Sequence, residues 1–166
     1  MSSDAARLTR IKNVLFVCTG NSCRSVMGEY LFNLQASRAG LEVRAESAGT
    51  AGSSALTASE ETVQLLRAEG ADARSHVSRP ISRDLIEKND IILVMTEQHQ
   101  EIILQYFPKS AHKIHKLTEF YNGPEAYLKR VGVPDPVGRG MDFYEQVFGI
   151  IKDCLDGLFE TIGEKS

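Results

Sequence analysis

The stretch VLFVCTGNSCRSVMGEY, residues 14–30, joins an apolar strand to a run of polar and oxidisable side chains. Residues 12–17 are largely apolar and rich in β-branched side chains, which is typical of a strand buried on both faces. After the two cysteines the pattern becomes helical and ends at Gly40. Its apolar positions are Met27, Tyr30, Leu31 and Leu34. The stretch therefore predicts a strand, a tight loop and a helix in direct succession.

Predicted strands and helices alternate along the rest of the chain. Further strands are expected at residues 41–46, 90–96 and 113–117. Further helices are expected from a capping box of Thr57 and Glu60 to Gly70, over 81–88, from Thr96 to Pro108, and over 141–162. The segment 122–140 is rich in Gly and Pro and predicts a loop. This order predicts an α/β fold with a central, mainly parallel four-stranded sheet flanked by helices in three layers.

Length and composition fit one globular domain. The chain has 166 residues, of which 42% are apolar and 25% charged, enough to bury a substantial core. We assign residues 11–166 to this domain and residues 1–10 to a flexible N-terminal tail. A net charge of −3 without a basic block gives no reason to expect nucleic acid as a partner.

Neither export nor membrane insertion is indicated by the hydrophobic runs. The first ten residues lack the apolar core of a signal peptide. The longest purely apolar run, residues 91–95, is far shorter than the roughly 20 residues that span a bilayer. We therefore expect a cytoplasmic protein without a membrane partner.

The cysteines and histidines do not predict a metal site or a disulfide framework. Three cysteines are an odd number, too few to staple a chain of this length, and no zinc-binding spacing follows Cys18 and Cys23. We expect no metal and no other cofactor. Cys154 falls on the apolar stripe of the last helix and is interpreted as a core residue. Three further histidines are interpreted as surface residues: His99, His112 and His115.

Five residues separate Cys18 from Arg24 and can form a loop around one tetrahedral oxyanion. These residues are Thr19, Gly20, Asn21, Ser22 and Cys23. Their backbone N–H groups can turn inward, because Gly20 and Asn21 tolerate left-handed conformations. A helix starting near Ser22 adds its positive N-terminal end, and the Arg24 fork can bind two phosphate oxygens. The sequence thus predicts a phosphate-binding loop after the first strand, with a cysteine nucleophile.

A plainer interpretation of the same residues exists. A cysteine after a strand is usually a small buried hydrophobe, and an arginine that follows is usually a helix-surface charge. The preceding strand, the Gly-Asn pair and the following helix favour the functional interpretation.

CTGNSCRS after VLFV, together with a late Asp-Pro, resembles the low-molecular-weight protein tyrosine phosphatase family. The resemblance extends over nearly the whole chain from about Lys12, in element order as well as in motifs. Other matching segments are ESAGT (46–50), HVSRP (76–80), VMTEQH (94–99) and VPDPVG (133–138). The resemblance implies a protein phosphatase that works through a phosphocysteine, without a metal.

The resemblance also implies roles for individual residues. Cys18 is expected to attack phosphorus while Arg24 and the loop N–H groups hold the equatorial oxygens. Asp135 is expected to protonate the leaving atom and then to deprotonate water. Ser25 is expected to donate a hydrogen bond to the Cys18 thiolate. From the residues alone, Asp135 before Pro136 reads as a turn residue and Ser25 as a first-turn helix residue.

Several further residues are expected to support or line the loop. Asn21, Ser47 and His76 resemble the family's supporting network, and Arg79 is a further candidate. Alone, Ser47 and His76 read as ordinary loop residues. Cys23 matches a position where many members carry a second cysteine that can pair with an oxidised nucleophile. The expected phosphate- and substrate-binding residues are Thr19, Gly20, Asn21, Ser22, Cys23 and Val137.

The substrate is left open between phosphotyrosine and phosphoarginine on proteins. Members specific for phosphotyrosine usually have a bulky apolar residue in place of Ser22 and aromatic residues in place of Val137 and Gly138. The bacterial protein-arginine phosphatases of the family have Thr in place of Ser22 and an aromatic in place of Val137. This chain fits neither subclass fully. Inorganic phosphate is the expected product and a competitive inhibitor.

Two other classes of protein could use a loop of this kind. Thioredoxin-coupled arsenate reductases have a similar loop but need two more cysteines in the middle of the chain, and none lies between Cys23 and Cys154. A phosphoprotein-binding module is the other alternative, although binding alone requires neither Cys18 nor Asp135.

Overall fold

The structure is a computed structural model and describes residues 10–52 and 56–163. Of the predicted tail only Arg10 lies within this range. Four strands form one sheet: β1 (Asn13–Cys18), β2 (Arg44–Gly49), β3 (Ile91–Val94) and β4 (Ile114–Lys116). Their order in the sheet is β2-β1-β3-β4, and all three strand pairs are parallel. The predicted four-stranded sheet is confirmed.

Within the described residues, six α-helices connect or follow these strands. They are α1 (Arg24–Arg38), α2 (Glu60–Glu69), α3 (Arg83–Lys88), α4 (Glu97–Tyr106), α5 (Leu128–Val131) and α6 (Met141–Gly163). Two 3₁₀ helices flank β4, at Pro108–Lys113 and Leu117–Phe120. Among the described residues, no helix combines the length and apolar character needed to cross a membrane.

The central strand β1 has helices on both of its faces, as its apolar sequence predicts. Val14 and Phe16 pack in a core with α1, α2 and α6. Leu15 and Val17 pack in a second core with α3 and α4. The sheet is therefore the middle of three layers, and the carboxyl ends of its strands meet at one edge. Ligands of open α/β sheets bind beyond this edge.

Two boundaries differ from the prediction because tertiary pairing decides them. Strand β2 lies three residues later than the predicted 41–46, since Phe16 of β1 pairs with Ser47. Helix α2 is capped by Ser59, whose Oγ accepts the Thr62 N–H at 3.3 Å. The predicted cap Thr57 is instead bridged to Val77 in an antiparallel arrangement.

The remaining predictions differ in detail. The segment 122–140, predicted as a loop, contains the short helix α5. The helix predicted to start near Ser22 begins at Arg24, with Cys23 as its N-cap. Cys154 of α6 is fully buried, as its place on the apolar stripe predicts.

Candidate active site

The loop of residues 19–23 connects the carboxyl end of β1 to the N-terminus of α1. Main-chain bonds hold it at three points: Thr50 N donates to Cys18 O at 2.9 Å, Ala51 N to Thr19 O at 3.0 Å, and Ser59 N to Ser22 O at 3.0 Å. Strand β2 can approach this closely because its last residue is Gly49, where a Cβ would lie 2.4 Å from the Thr19 carbonyl oxygen. The loop is therefore tied to the sheet on the β2 side.

Asn21 holds the loop from inside. Its φ of 55° makes it the only non-glycine residue with positive φ among the described residues, a conformation that Asn tolerates better than most. The buried side chain donates from Nδ2 to Ser25 Oγ at 2.8 Å and to Ser47 Oγ at 2.9 Å. Its Oδ1 accepts the Arg79 N–H at 3.1 Å. One amide therefore joins the loop, α1, β2 and the segment before α3.

A second layer of polar contacts supports Asn21. His76 Nε2 donates to the Asn21 carbonyl at 2.9 Å, and His76 Nδ1 lies 3.6 Å from Glu29 Oε2. The same carboxylate oxygen accepts from Ser47 Oγ at 3.1 Å, and Arg79 Nε donates to the Ser47 carbonyl at 3.1 Å. Glu29 was not predicted, because it lies on a helical surface pattern and its role depends on where β2 runs.

Cys18 lies at the base of the loop and is only 3% exposed. Its Sγ is 2.9 Å from Ser25 Oγ. Because Asn21 Nδ2 already donates to that hydroxyl oxygen, the Ser25 proton is available for the sulfur. The chain of donors from Asn21 through Ser25 to Cys18 stabilises a negative charge on the sulfur.

Arg24 and Asp135 meet beside the loop. Arg24 is buried, its Nη1 donates to the Val133 carbonyl at 3.0 Å, and its Nη2 lies 3.6 Å from Asp135 Oδ2. The Asp135 side chain is 53% exposed, and its Oδ1 accepts the Val137 N–H at 3.1 Å. Val137 is itself 63% exposed. A carboxyl group therefore faces solvent next to the guanidinium at the loop.

His99 corrects the sequence interpretation, which placed it on the surface. It is 3% exposed and lies in the first turn of α4, where its Nδ1 accepts the Thr96 N–H at 3.1 Å. Its Nε2 lies 2.9 Å from Thr19 Oγ1 in the loop. Burial, followed by the nearby Arg24 charge, lowers the pKa of His99 to about 4, while Asp135 acts in the opposite direction.

A sequence signal for His99 was present. Histidine stands three residues after the cap Thr96, the place that a capping-box partner occupies. Of the other two histidines, His112 is exposed as predicted, and His115 is partly exposed and lies 3.0 Å from Glu119.

Cys23 lies at the edge of the core, next to two hydroxyl groups. It is buried, and its Sγ lies 3.4 Å from Tyr144 Oη and 3.5 Å from Ser59 Oγ. Burial and the Cys23 contact raise the pKa of Tyr144 to about 12. Ser22 is partly exposed on the rim, with its Oγ 3.6 Å from Cys23 Sγ.

A cleft of about 360 Å³ opens beside the loop. It is bounded by the loop, the start of α4 and the segment 131–135, and its walls include Thr19, Arg24, His99 and Asp135. Within residues 10–52 and 56–163, no three His, Cys, Asp or Glu side chains are placed so that they could hold a metal ion. The arrangement places a thiol at the base of a loop that leads into a helix N-terminus, with a guanidinium and a carboxyl group beside it, a combination that phosphoryl transfer through cysteine would require.

Comparison with known proteins agrees with this chemistry. The family model described as low molecular weight phosphotyrosine protein phosphatase matches residues 13–166. The protein-arginine-phosphatase of Bacillus subtilis is 38% identical over 150 residues, which cover 90% of this chain and 96% of that protein. The low molecular weight protein-tyrosine-phosphatase Ptp of Acinetobacter johnsonii is 28% identical over 146 residues, which cover 88% of this chain and 94% of that protein.

Solved structures show the same architecture. A mutant of YwlE from Bacillus subtilis superposes with a TM-score of 0.83 at 34% identity, covering 92% of this chain and 99% of that one. A YwlE arginine phosphatase mutant with a phosphorylated active-site serine gives a TM-score of 0.83 at 34% identity, covering 92% and 97%. The chain belongs to the low-molecular-weight protein tyrosine phosphatase family and is a phosphatase of that type.

Proposed function

We propose that this protein removes phosphate from phosphorylated side chains of other proteins, with Cys18 as the nucleophile. One observation supports this most: Cys18 Sγ lies 2.9 Å from the Ser25 hydroxyl at the base of the loop, and Asp135 lies 3.6 Å from Arg24 at its rim. Cys18 and Arg24 stand at the two ends of the loop 19–23, and Asp135 pairs with Arg24, so the loop relates the proposed nucleophile to the proposed proton donor. Inorganic phosphate is the product and, because it fits the same loop, a competitive inhibitor.

In the first step the Cys18 thiolate attacks phosphorus and the bond from phosphorus to the leaving atom breaks. Asp135 protonates that atom, while Arg24 and the backbone N–H groups of residues 19–23 hold the equatorial oxygens. The exposed carboxyl of Asp135 can reach a leaving group that enters from solvent. The products of this step are a phosphocysteine and the dephosphorylated side chain.

In the second step water attacks the phosphocysteine and gives its proton to Asp135. The sulfur–phosphorus bond breaks and Cys18 leaves as a thiolate that the Ser25 hydroxyl stabilises. The YwlE mutant with a phosphorylated active-site serine supports this route, since its active-site residue carries the phosphoryl group. Asn21, Ser47 and His76, together with Arg79, would keep the loop N–H groups turned inward in both steps.

Phosphoarginine and phosphotyrosine are both candidate substrates. The Ser22 hydroxyl on the rim favours phosphoarginine because it can accept a hydrogen bond from a guanidinium. Two relatives, 38% and 30% identical, are named protein-arginine-phosphatases. Exposed Val137 and Val131 beside Asp135 can pack against an aromatic ring, so phosphotyrosine remains a candidate although the aromatic residues of phosphotyrosine-specific members are absent.

Parallel kinetics on a phosphoarginine peptide and a phosphotyrosine peptide, with reductant and without added metal, test this proposal. Turnover of at least one peptide, lost in Cys18→Ser and inhibited competitively by phosphate, is the expected result. Ser22→Ile and Ser22→Thr form a matched pair, and the isoleucine should shift preference towards phosphotyrosine. Arsenate reduction with thioredoxin but no peptide hydrolysis would contradict the proposal. So would a Cys18→Ser protein that kept its full biological effect, which indicates a binding module.

We further infer that Cys23 protects Cys18 from irreversible oxidation. Peroxide converts the Cys18 thiolate to a sulfenic acid, and attack by the Cys23 sulfur then expels water and forms a disulfide. Cys23 must first leave Tyr144 and Ser59, so this reaction requires the loop to rearrange. A catalytic thiol of this kind needs reducing surroundings such as the cytoplasm. Differential cysteine labelling after peroxide treatment tests the pairing, and its absence would contradict the inference.

A further inference from the structure

We propose that His99 is a positioning residue, which directs the hydroxyl proton of Thr19 at the water that attacks the phosphocysteine. This inference rests on the proposed roles of Cys18 and Asp135. It gives a role to His99 and Thr19, which in the proposed mechanism are neither the nucleophile nor the group that transfers a proton.

The hydrogen bonds around His99 determine which ring nitrogen carries the proton. A backbone amide can only donate, so the 3.1 Å contact from Thr96 N requires a lone pair on His99 Nδ1. In the neutral ring the proton is then on Nε2, which lies 2.9 Å from Thr19 Oγ1. The Thr19 oxygen therefore accepts from His99, and its own hydrogen must point elsewhere.

The charges around His99 keep the ring in this neutral form. Arg24 of α1 and Asp135 of the opposite loop are the charged groups that act on it, and Arg24 has the larger effect. Burial and Arg24 together hold the pKa of His99 at about 4, so the ring is neutral at the pH where a thiolate enzyme works. Nδ1 also lies 3.1 Å from Thr96 Oγ1, whose hydroxyl can donate to the same lone pair.

Thr19 and Asp135 both line the same cleft, so the Thr19 hydroxyl hydrogen that is not used by His99 is on the same cleft as the proposed acid. Thr19 is exposed whereas His99 is buried, so Thr19 is the one of the two that is open to water. In the second step the water oxygen bonds to phosphorus and its proton passes to Asp135. A donor directed at the remaining lone pair of that water holds it in line for attack.

The first step does not need this donor. There Asp135 itself carries the proton for the leaving atom, and the leaving group occupies the place that water takes later. His99 and Thr19 should therefore matter for hydrolysis of the phosphocysteine and little for its formation. This predicts a separation between kcat and kcat/KM that a distorted loop would not produce, since kcat/KM reports only the steps up to departure of the leaving group.

Stopped-flow kinetics with p-nitrophenyl phosphate measure the two steps separately. Thr19→Val and His99→Met should each lower kcat about tenfold, the effect of losing one positioned hydrogen bond, and leave kcat/KM within about twofold. Both variants should show a burst of nitrophenol close to one equivalent of enzyme. The double variant should be no slower than either single variant, because the two residues act as one unit.

Two comparisons provide the controls. His99→Gln should recover most of kcat, because Gln at this capping position can accept from Thr96 N and donate to Thr19. His112→Gln, at an exposed histidine whose Nδ1 lies 3.0 Å from the Lys109 carbonyl, should behave as wild type. A parallel fall in kcat and kcat/KM, or wild-type kinetics in Thr19→Val, would overturn the proposal. No turnover in the wild type would instead count against the proposed function.

Nuclear magnetic resonance of the unmodified protein provides a test that does not depend on variants or on turnover. Long-range ¹H–¹⁵N spectra of the histidine rings should show His99 protonated at Nε2 alone near neutral pH. Protonation of the neutral ring at Nδ1 would overturn the proposed hydrogen-bond direction.

Discussion

The two loops that meet at Arg24 are held in opposite ways. The predicted phosphate-binding loop, residues 19–23, is tied by main-chain bonds to Ala51 and Ser59 and by the Asn21 side chain to α1, β2 and the segment before α3. The loop that carries Asp135 is anchored at its start, where Val133 N donates to Met95 O at 2.8 Å and Gly132 adopts a φ of +85°. A Cβ at Gly132 would lie 2.3 Å from that carbonyl oxygen, so glycine is required there.

Beyond Val133 the contacts of the second loop are local. Asp135 Oδ1 accepts from Val137 N at 3.1 Å and Arg139 N donates to Pro136 O at 2.9 Å. Asp135 also forms an ion pair with Arg24 at 3.6 Å. The difference follows from the proposed chemistry. A phosphoryl group stays in one place through both steps, whereas the acid must serve first a leaving group and then water.

The largest expected effect comes from removing the nucleophile. Cys18→Ser should lower turnover by at least about 10⁴-fold, because a serine hydroxyl is a poor nucleophile without a base. Phosphate affinity should largely persist, since the N–H groups of the loop and Arg24 remain. Calorimetric titration with phosphate measures this, and loss of binding together with activity would mean that the loop is not preformed.

Asp135→Asn should reduce kcat/KM on the order of 10²-fold or more for substrates with poor leaving groups. The loss should be smaller for p-nitrophenyl phosphate, whose leaving group needs little protonation. A leaving-group series measured on both proteins distinguishes an acid from an electrostatic partner of Arg24. Equal losses across the series would contradict the acid role.

Asn21→Ala tests the rigidity of the first loop. The substitution removes three side-chain hydrogen bonds and places alanine at positive φ, so we expect a loss of about 3 kcal/mol in the free energy of unfolding. Asn21→Gly loses the same bonds but accepts the backbone conformation, and should be about 1 kcal/mol more stable than Asn21→Ala. Urea unfolding gives both values. Equal stability of the two variants would mean that the φ of Asn21 imposes no strain.

The smallest effect is a pH dependence of stability from His99. Its pKa is about 4 in the folded protein against 6.5 without the fold, so the unfolded chain holds more protons between these values. The free energy of unfolding should therefore fall as the pH is lowered from about 6.5 to about 4, and His99 should account for on the order of 2 kcal/mol of this loss. Urea midpoints of wild type and His99→Gln should converge over this range, whereas His112→Gln should follow wild type throughout.

Local sequence patterns predicted most of the framework but not its exact registers. The alternation before residue 46 suggested a strand that ends there, yet pairing with β1 extends β2 to Gly49. Thr57 has the spacing of a helix cap, but its bridge to Val77 leaves that place to Ser59. In both cases a partner distant in sequence outweighs a local preference, because a paired backbone satisfies its hydrogen bonds and a free one does not.

By itself, the sequence determined the strand, loop and helix around Cys18. Five residues with a Gly-Asn pair between an apolar strand and a helical pattern predict a loop of the kind that binds anions. Only the tertiary structure decided what surrounds it. Thr19 and His99, which are in contact, are 80 residues apart in the chain, and Ser47 donates a hydrogen bond to Glu29, 18 residues before it. They come together because the carboxyl ends of parallel strands share one edge of the sheet, a geometry that no local pattern encodes.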